Sequence, residues 1–474
     1  MSDQTNEGED VTTDATDGLR SPVSGIDMAM GAGASLFVTA QSMTAKRVRR
    51  HVHFELPAYL FVQSSWFMAF GLQMVLFPYL ITNKLNLDGL ELGLANMALS
   101  APSVVFLLLG GVVAERLAGK PLLIALHLLA AIPILILAGA VASGNLTYGY
   151  MLAYGFGLGT VGAFMMPARD AIINEVVERR IRVGSGVTLQ LGVTLATMAQ
   201  FAAQIFGLII AGYADKATRM PDWLGGFTIG PISSWRLLVI QGMIVASGAI
   251  FALVLAKGRR VRTGRSGRGA AFGDIADGFR TVKADPKLWA MTALMFGVGI
   301  FVIGSFLVVL PIINRDIYHL GSDGIRDMFV TFWFGAFVAS VALSAFKNVQ
   351  RPGRLLLTAQ FFGSIVILAM LWEIPHHYFL AIVFVWGIAA GISIAMSRSI
   401  VQDAAPKDQL ARVLSIYQLG FMAGAPFGAF VMGWLTDVFG PHKIAIIPAL
   451  GMTCLIAWMI FATPIWNLKE EKKS

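Results

Sequence analysis

Apolar positions in this chain do not alternate with polar ones at a period of two or 3.6. They gather into runs of about 20 residues, the length of helix needed to cross a hydrocarbon core of about 30 Å. Twelve runs are predicted as spans: Pro57–Ile81, Leu90–Ala114, Pro121–Ala142, Tyr148–Pro167, Gly186–Tyr213, Trp235–Ala256, Leu288–Ile313, Met328–Phe346, Leu355–Leu371, Tyr378–Ser397, Val413–Thr436 and Lys443–Thr463. In lipid a chain must satisfy its own backbone polar groups, and a row of such runs does so as helices. The expected fold class is an all-α integral membrane protein of twelve transmembrane helices.

The longest polar interruption, Lys257–Lys287, divides the spans into six and six. It opens on a basic run (Lys257, Arg259, Arg260, Arg262, Arg265, Arg268). Ile275, Phe279 and Val282 follow on one face of a short helix suited to the membrane surface. The expected organisation is a cytoplasmic tail over 1–55, six-helix bundles over 56–256 and 288–464, a central loop over 257–287 and a second tail over 465–474. The two halves repeat. Arg169 is followed at 21 residues by Gln190-Leu-Gly192, and Arg398 at 20 residues by Gln418-Leu-Gly420. Span 5 then carries Phe206-Gly207, Gly212 and Asp215; span 11 carries Phe427-Gly428, Gly433 and Asp437. Shared order and spacing point to a duplicated unit and hence to two pseudo-symmetric bundles.

Composition agrees with a lipid-facing surface: 56% of residues are hydrophobic, 14% are charged, and mean hydropathy is +0.70. A formal charge of +8 would suit nucleic acid on a soluble fold, but here the basic residues sit between apolar runs and act as topological signals. With the N-terminus inside, cytoplasmic segments hold 29 of the 36 Lys and Arg residues, which places both termini in the cytoplasm of a bacterial inner membrane. The first twenty residues carry Asp3, Glu7, Glu9, Asp10, Asp14 and Asp17 and lack the basic-then-apolar order of a secretory signal. They read as a disordered tail, and Met43 before Lys46, Arg47, Arg49 and Arg50 is a second candidate start. Cys454 is alone, so no intrachain disulfide or thiol metal cluster is expected. No metal-ligand cluster, nucleophile–base set or phosphate-binding glycine loop stands out. No cofactor, enzyme activity or ATP-driven pumping by this chain alone is therefore expected.

The loop between spans 2 and 3 reads Gly111-Val-Val-Ala-Glu115-Arg116-Leu-Ala-Gly119-Lys120. It resembles the loop signature of the major facilitator superfamily, with Glu in place of Asp and one extra residue before the second glycine. The likeness extends over Leu56 to Thr463. Pro167-Ala-Arg169 through Glu175, Gly278-Phe279 through Asp285-Pro286, and Gln402 through Arg412-Val413-Leu-Ser415 are similar to the branch that holds the enterobactin exporter and macrolide efflux proteins. The resemblance implies bundles that rock about a central cavity, and export of a drug-like or siderophore-like amphipathic compound. It also implies a monomer among membrane lipids, no nucleic acid partner, and a proton as candidate coupling ion.

The resemblance also assigns candidate roles. Gly111, Glu115, Arg116, Gly119 and Lys120 would form a latch between the halves, although Arg116 and Lys120 equally serve as positive-inside anchors. Arg169 and Arg398, at matching inner ends of spans 4 and 10, are either anchors or gate contacts with Glu175 or Asp403. Helices 1, 4, 7 and 10 line the cavity in this family. The substrate candidates are accordingly Gln63, Ser64, Trp66, Phe67, Phe70 and Gln73 in span 1, Tyr154 in span 4 and Ser305 in span 7. Gln190, Thr194, Thr197 and Gln204 share one face of span 5, where polar groups line a path or bond neighbouring helices. No Asp or Glu lies in mid-span, His127 is the only deep titratable side chain and reads as packed, and span 4 has no arginine before Arg169. Span 5 reads Ala203-Gln204 where many drug antiporters have Gly-Pro. These departures weigh against proton antiport. Two other classes remain open: a non-transporting receptor or assembly factor with the same fold, and a lysolipid flippase.

Overall fold

The computed structural model describes residues 24–183, 189–219, 226, 228–256, 277–345, 349–406 and 409–468. The acidic start of the chain and the basic run of the central loop, Ile275 included, lie outside them. Met1–His53 and Phe54–Ser474 form two compact units. The first is described as helical backbone from Ser24 onward.

Among the described residues, twelve helices are long and apolar enough to cross a membrane: Val52–Lys84, Gly89–Leu107, Gly119–Ala142, Tyr148–Arg182, Thr194–Ala211, Ser234–Ala252, Pro286–Asp316, Ser322–Leu343, Pro352–Leu371, His376–Ala404, Val413–Phe439 and Lys443–Ala462. They are spans 1 to 12 below. The protein is an all-α multi-pass membrane protein, as expected. Between spans 5 and 6, Thr218–Arg219 pairs antiparallel with Thr228–Ile229.

Several helices outrun their apolar runs. The first extends back to Ser24, the fourth passes Pro167 to reach Arg182, and the tenth continues to Ala404. Hydropathy marks where lipid ends, not where helical hydrogen bonding ends. Beyond Pro167 the winding is supported by Glu175–Arg179 and Glu178–Arg182 ion pairs, each at 3.1 Å and four residues apart. In the central loop, 277–284 is helical, with Val282 buried and Phe279 46% exposed.

Glycine sets the close approaches within each half, because lipid offers helices no hydrophobic drive to associate and small residues let backbones touch. A Cβ on Gly207 would lie 2.0 Å from the Met68 carbonyl of span 1. A Cβ on Gly428 would lie 2.4 Å from the Ile300 carbonyl of span 7. Phe206 and Phe427, beside these glycines, are both more than half exposed. The sequence repeat is therefore a packing repeat: span 11 treats span 7 as span 5 treats span 1. Span 7 winds as π-helix over Val298–Ile303 and Ser305–Val309 where Gly299 and Gly304 lie against the span 11 backbone.

Candidate functional site at the seam between the halves

Among the described residues, the inter-half contacts gather at the end of the molecule that carries the 1–2, 5–6, 7–8 and 11–12 loops. Gly433 of span 11 meets span 2 so closely that an added Cβ would lie 2.3 Å from the Gly89 carbonyl, and Gly93 stands against Ala429 in the same way at 2.4 Å. Beside them the Asp437 carboxylate accepts the amides of Gly89 and Leu90, both at 2.8 Å. These amides open the span 2 helix and have no partner within it, so an anion there meets unpaired donors and the positive end of the helix dipole.

Arg315, at the end of span 7, clamps the 1–2 turn. It donates to the Leu87 carbonyl and pairs with Asp88 at 2.9 Å. Ser322 donates to the Ala214 carbonyl at 2.8 Å, and Lys216 pairs with Asp323. The side chain of Arg326 fills the space above Gly212 and lies over the Tyr213 ring. Tyr318 in the 7–8 loop donates to the Ile374 carbonyl at 2.9 Å, and burial pushes its phenol up to about 12, which keeps it a donor. From Gly212 the seam between spans 5 and 8 runs inward to Phe201 and Trp333, whose ring centroids are 6.1 Å apart.

The predicted substrate residues fall into two groups. Gln63, Gln73, Tyr154, Gln204 and Ser305 are buried within their own halves. Gln63 donates to the Ala196 carbonyl at 2.7 Å, Gln204 to the Met74 sulfur at 3.5 Å, and Ser305 to the Phe301 carbonyl at 2.7 Å. These bonds hold helix to helix or fold back on one helix. Trp66 and Phe70 form the second group, and with buried Gln73 they line a small cavity inside the first half, closed by Ile134, Leu158 and Gln241. Gln241 donates to the Ala69 carbonyl and to the Tyr154 hydroxyl, both at 3.1 Å. It was missed because a single amide in an apolar run carries no periodicity. Ser64 is half-buried, Thr194 and Thr197 are exposed, and the side chain of Gln190 lies outside the described residues.

The predicted gate is placed as follows. The side chains of Glu115 and Arg116, and the surroundings of Gly111, lie outside the described residues. Gly119 packs on Ile172, where a Cβ would lie 2.5 Å from Cγ1, and Lys120 donates to the Leu253 carbonyl. These contacts stay inside the first half. Arg169 is buried, pairs with Asp170 at 3.0 Å, and has its guanidinium 4.9 Å from the centroid of the Phe67 ring. Glu175 does not meet Arg169; it joins Arg179, which binds buried Glu55 at 2.7 Å. Arg398 and Asp403 are exposed.

His127 is fully buried, with Nδ1 2.8 Å from the Leu123 carbonyl and its ring edge-on to Trp66. A Cβ on Gly248 would fall 2.2 Å from its Cδ2. It is a packed residue between spans 1, 3 and 6.

Two sets of six glycine-spaced spans, in contact at one end among the described residues, define a polytopic helical membrane protein of two similar halves. The chain belongs to the Major Facilitator Superfamily, whose family model matches residues 59–429. The uncharacterized protein Rv2265 of Mycobacterium tuberculosis is 25% identical over 331 residues, covering 64% of this chain and 72% of that protein. Among solved structures, a mutant form of the nucleoside transporter NupG superposes with a TM-score of 0.62 at 14% identity, covering 87% of this chain and 99% of the other. A bacterial homolog to human lysosomal transporter Spinster, inward-facing and unoccupied, gives 0.63 at 14% identity over 88% and 96%. A mutant form of the E. coli fucose:proton symporter FucP gives 0.54 at 17% identity over 87% and 98%.

Proposed function

We propose that this protein is a secondary active transporter that exports a small amphipathic molecule by alternating access. The observation that carries the reading is the glycine-and-carboxylate seam. Gly89 against Gly433 and Asp437 on the span 2 N-terminus join two bodies through backbone contacts, a helix end and a few ion pairs at one end, so they can part as units. Lysine and arginine resist translocation, so the 29-to-7 asymmetry puts the joined end outside and both termini in the cytoplasm. The structure then stands with its outer end closed, the form in which an exporter loads. The Spinster homolog similar in fold is likewise inward-facing.

In the other half of the cycle, Glu115 and Arg116 close the inner end and the Asp437 contact opens. The cavity at Trp66, Phe70 and Gln73 lies inside the first half, whereas the contact of Phe201 with Trp333 between the halves is aromatic and uncharged, which suits an uncharged or amphipathic substrate. The likeness to the branch with enterobactin and macrolide exporters supports efflux.

Accumulation of siderophores, macrolides and lysolipids in deletion and overexpression strains tests direction and substrate class together. Lower accumulation on overexpression is expected for at least one macrolide or siderophore, whereas uptake or lysolipid movement alone would replace this reading. Reporter fusions after Asn145, Asp222, Ser322 and His377 should read outside, and those after Arg180, Arg265, Gln350 and Lys469 inside. One inverted reporter would overturn the orientation.

A further inference from the structure

We propose that Trp333 is a substrate-binding residue at the inner limit of the closed seam, donating its indole N–H to an acceptor oxygen on an uncharged, flat and partly apolar molecule. The proposal rests on the transport reading above and adds a binding group and a ligand class to it.

Depth comes first. At about 1.5 Å per residue, Phe201 lies about 16 Å along span 5 from Gly212, near the middle of a core of about 30 Å. The ring contact of Phe201 with Trp333 is the deepest aromatic contact between the halves among the described residues. One turn further inward, Thr197 is exposed on the face of span 5 opposite lipid-facing Phe206, and Thr194 follows it. The described contacts of the seam end at Trp333, and a molecule reaching the seam from its inner side would meet this ring.

Its polar atom comes second. Trp333 Nε1 is buried and finds no acceptor among the described residues. An indole N–H is a donor only, and buried tryptophans place it on a partner as a rule. The ring has little freedom to turn toward another acceptor. Phe332 packs edge-on to it at 5.8 Å, and Phe332 is in turn held by Phe306 at 4.4 Å and by the buried Trp386 at 5.4 Å. Span 7 brings Phe306 to this cluster from its π-wound segment, and π-helical turns recur at functional sites.

Charge sets the ligand class. Residues 189–211, 288–314 and 328–345 include no Asp, Glu, Lys, Arg or His. The nearest charges on span 8, Asp327 and Arg326, pair with each other two turns toward the outer end. A formal charge at Trp333 would be desolvated without a counter-ion. An ester, lactone, ether or ring carbonyl fits: it accepts one hydrogen bond and offers an apolar face to the rings.

The test is a titration of the full chain in detergent with 15N-labelled tryptophan, following indole N–H signals. Coumarin and uridine, both uncharged and bearing ring carbonyls, are the acceptor-bearing probes, and ethidium, a permanent cation without an oxygen acceptor, is the control. The Trp333 signal, assigned by its loss in Trp333→Phe, should move downfield with at least one acceptor probe and stay still with ethidium. Trp333→Phe keeps a ring on Phe201 but lacks the donor, and should weaken binding of that probe by about tenfold, as expected for one lost hydrogen bond. Trp333→Tyr, which restores a donor, should recover part of it and also supplies the assignment if the Phe variant fails to fold. A silent Trp333 signal with both acceptor probes, or unchanged affinity in Trp333→Phe, overturns the proposal. Substrate-free cysteine labelling at both faces tests alternating access separately, so a silent Trp333 in a protein that labels at each face in turn leaves the transport reading standing.

Discussion

A Cβ on Gly433 would lie 2.3 Å from the carbonyl oxygen of Gly89. Nothing in either helix can give way to relieve that overlap, since the obstructing atom is backbone. Gly433→Ala is therefore expected to hold spans 2 and 11 apart at their outer ends. Cysteine labelling at the outer face should rise and transport should fall several-fold at unchanged membrane abundance. The matching change in the other half, Gly212→Ala, meets Arg326 down to its Cβ at 2.8 Å, which the span 8 backbone fixes, and should likewise part spans 5 and 8.

Asp437 acts on the same end by charge. Asp437→Asn leaves an acceptor near the Gly89 and Leu90 amides but removes the anion from the helix N-terminus. A charge-assisted contact contributes about 1.5–3 kcal/mol, and an anion at a helix start about 0.3–1 kcal/mol. Rocking transporters balance two states only a few kcal/mol apart, so the outward-open fraction should grow severalfold. Outer-face cysteine labelling measures it; an unchanged pattern would mean that the glycine contacts close this end alone.

Glu115→Gln is expected to push the balance the other way. If Glu115 closes the inner end in the outward-open state, its neutralisation should raise inner-face labelling and cut transport sharply while expression holds. Wild-type transport with unaltered labelling would reduce the 2–3 loop to a topological anchor.

Glu55 is a stability residue. It is 1% exposed and bound to Arg179 at 2.7 Å. Removing one partner of a buried ion pair is costly, about 3–5 kcal/mol where both are deeply buried, and less here because Arg179 is partly exposed and keeps Glu175. Glu55→Gln should lower the melting temperature of the purified protein by several degrees, with the balance between its open states unmoved in the labelling assay.

The spans were legible because bilayer thickness imposes a length on any apolar run, and the repeat because Gly207, Gly428 and Gly433 stand where backbones must touch and Gly212 where Arg326 is seated. The helix ends beyond Pro167 and Ser397 were not, since hydropathy is silent once a helix leaves lipid. The π-winding of span 7 follows from its fit to span 11, a long-range contact with no local signature. Polar side chains drew attention as path candidates, yet Gln63, Gln204 and Ser305 spend their hydrogen bonds inside one half. Asp437 stood out only as the counterpart of Asp215, although the two differ: Asp215 binds Lys84 at 3.2 Å and the Ser234 amide at 3.1 Å within its own half. Trp333 gave no signal at all, because aromatic residues in membrane helices are common and only the fold shows which one loses its partner.

The span 2–span 11 seam is built from backbone carbonyls on bare α-carbons, and that choice decides how this end behaves under load. Dispersion between such atoms fades within a fraction of an ångström to an ångström. Once the helices part by that much the attraction is gone, so the contact acts as a snap fastener and not as a spring. A fastener of this kind has few half-open positions, and its glycine contacts are almost indifferent to ionic strength, whereas the Asp437 carboxylate and the Lys216–Asp323 pair beside them would loosen in salt.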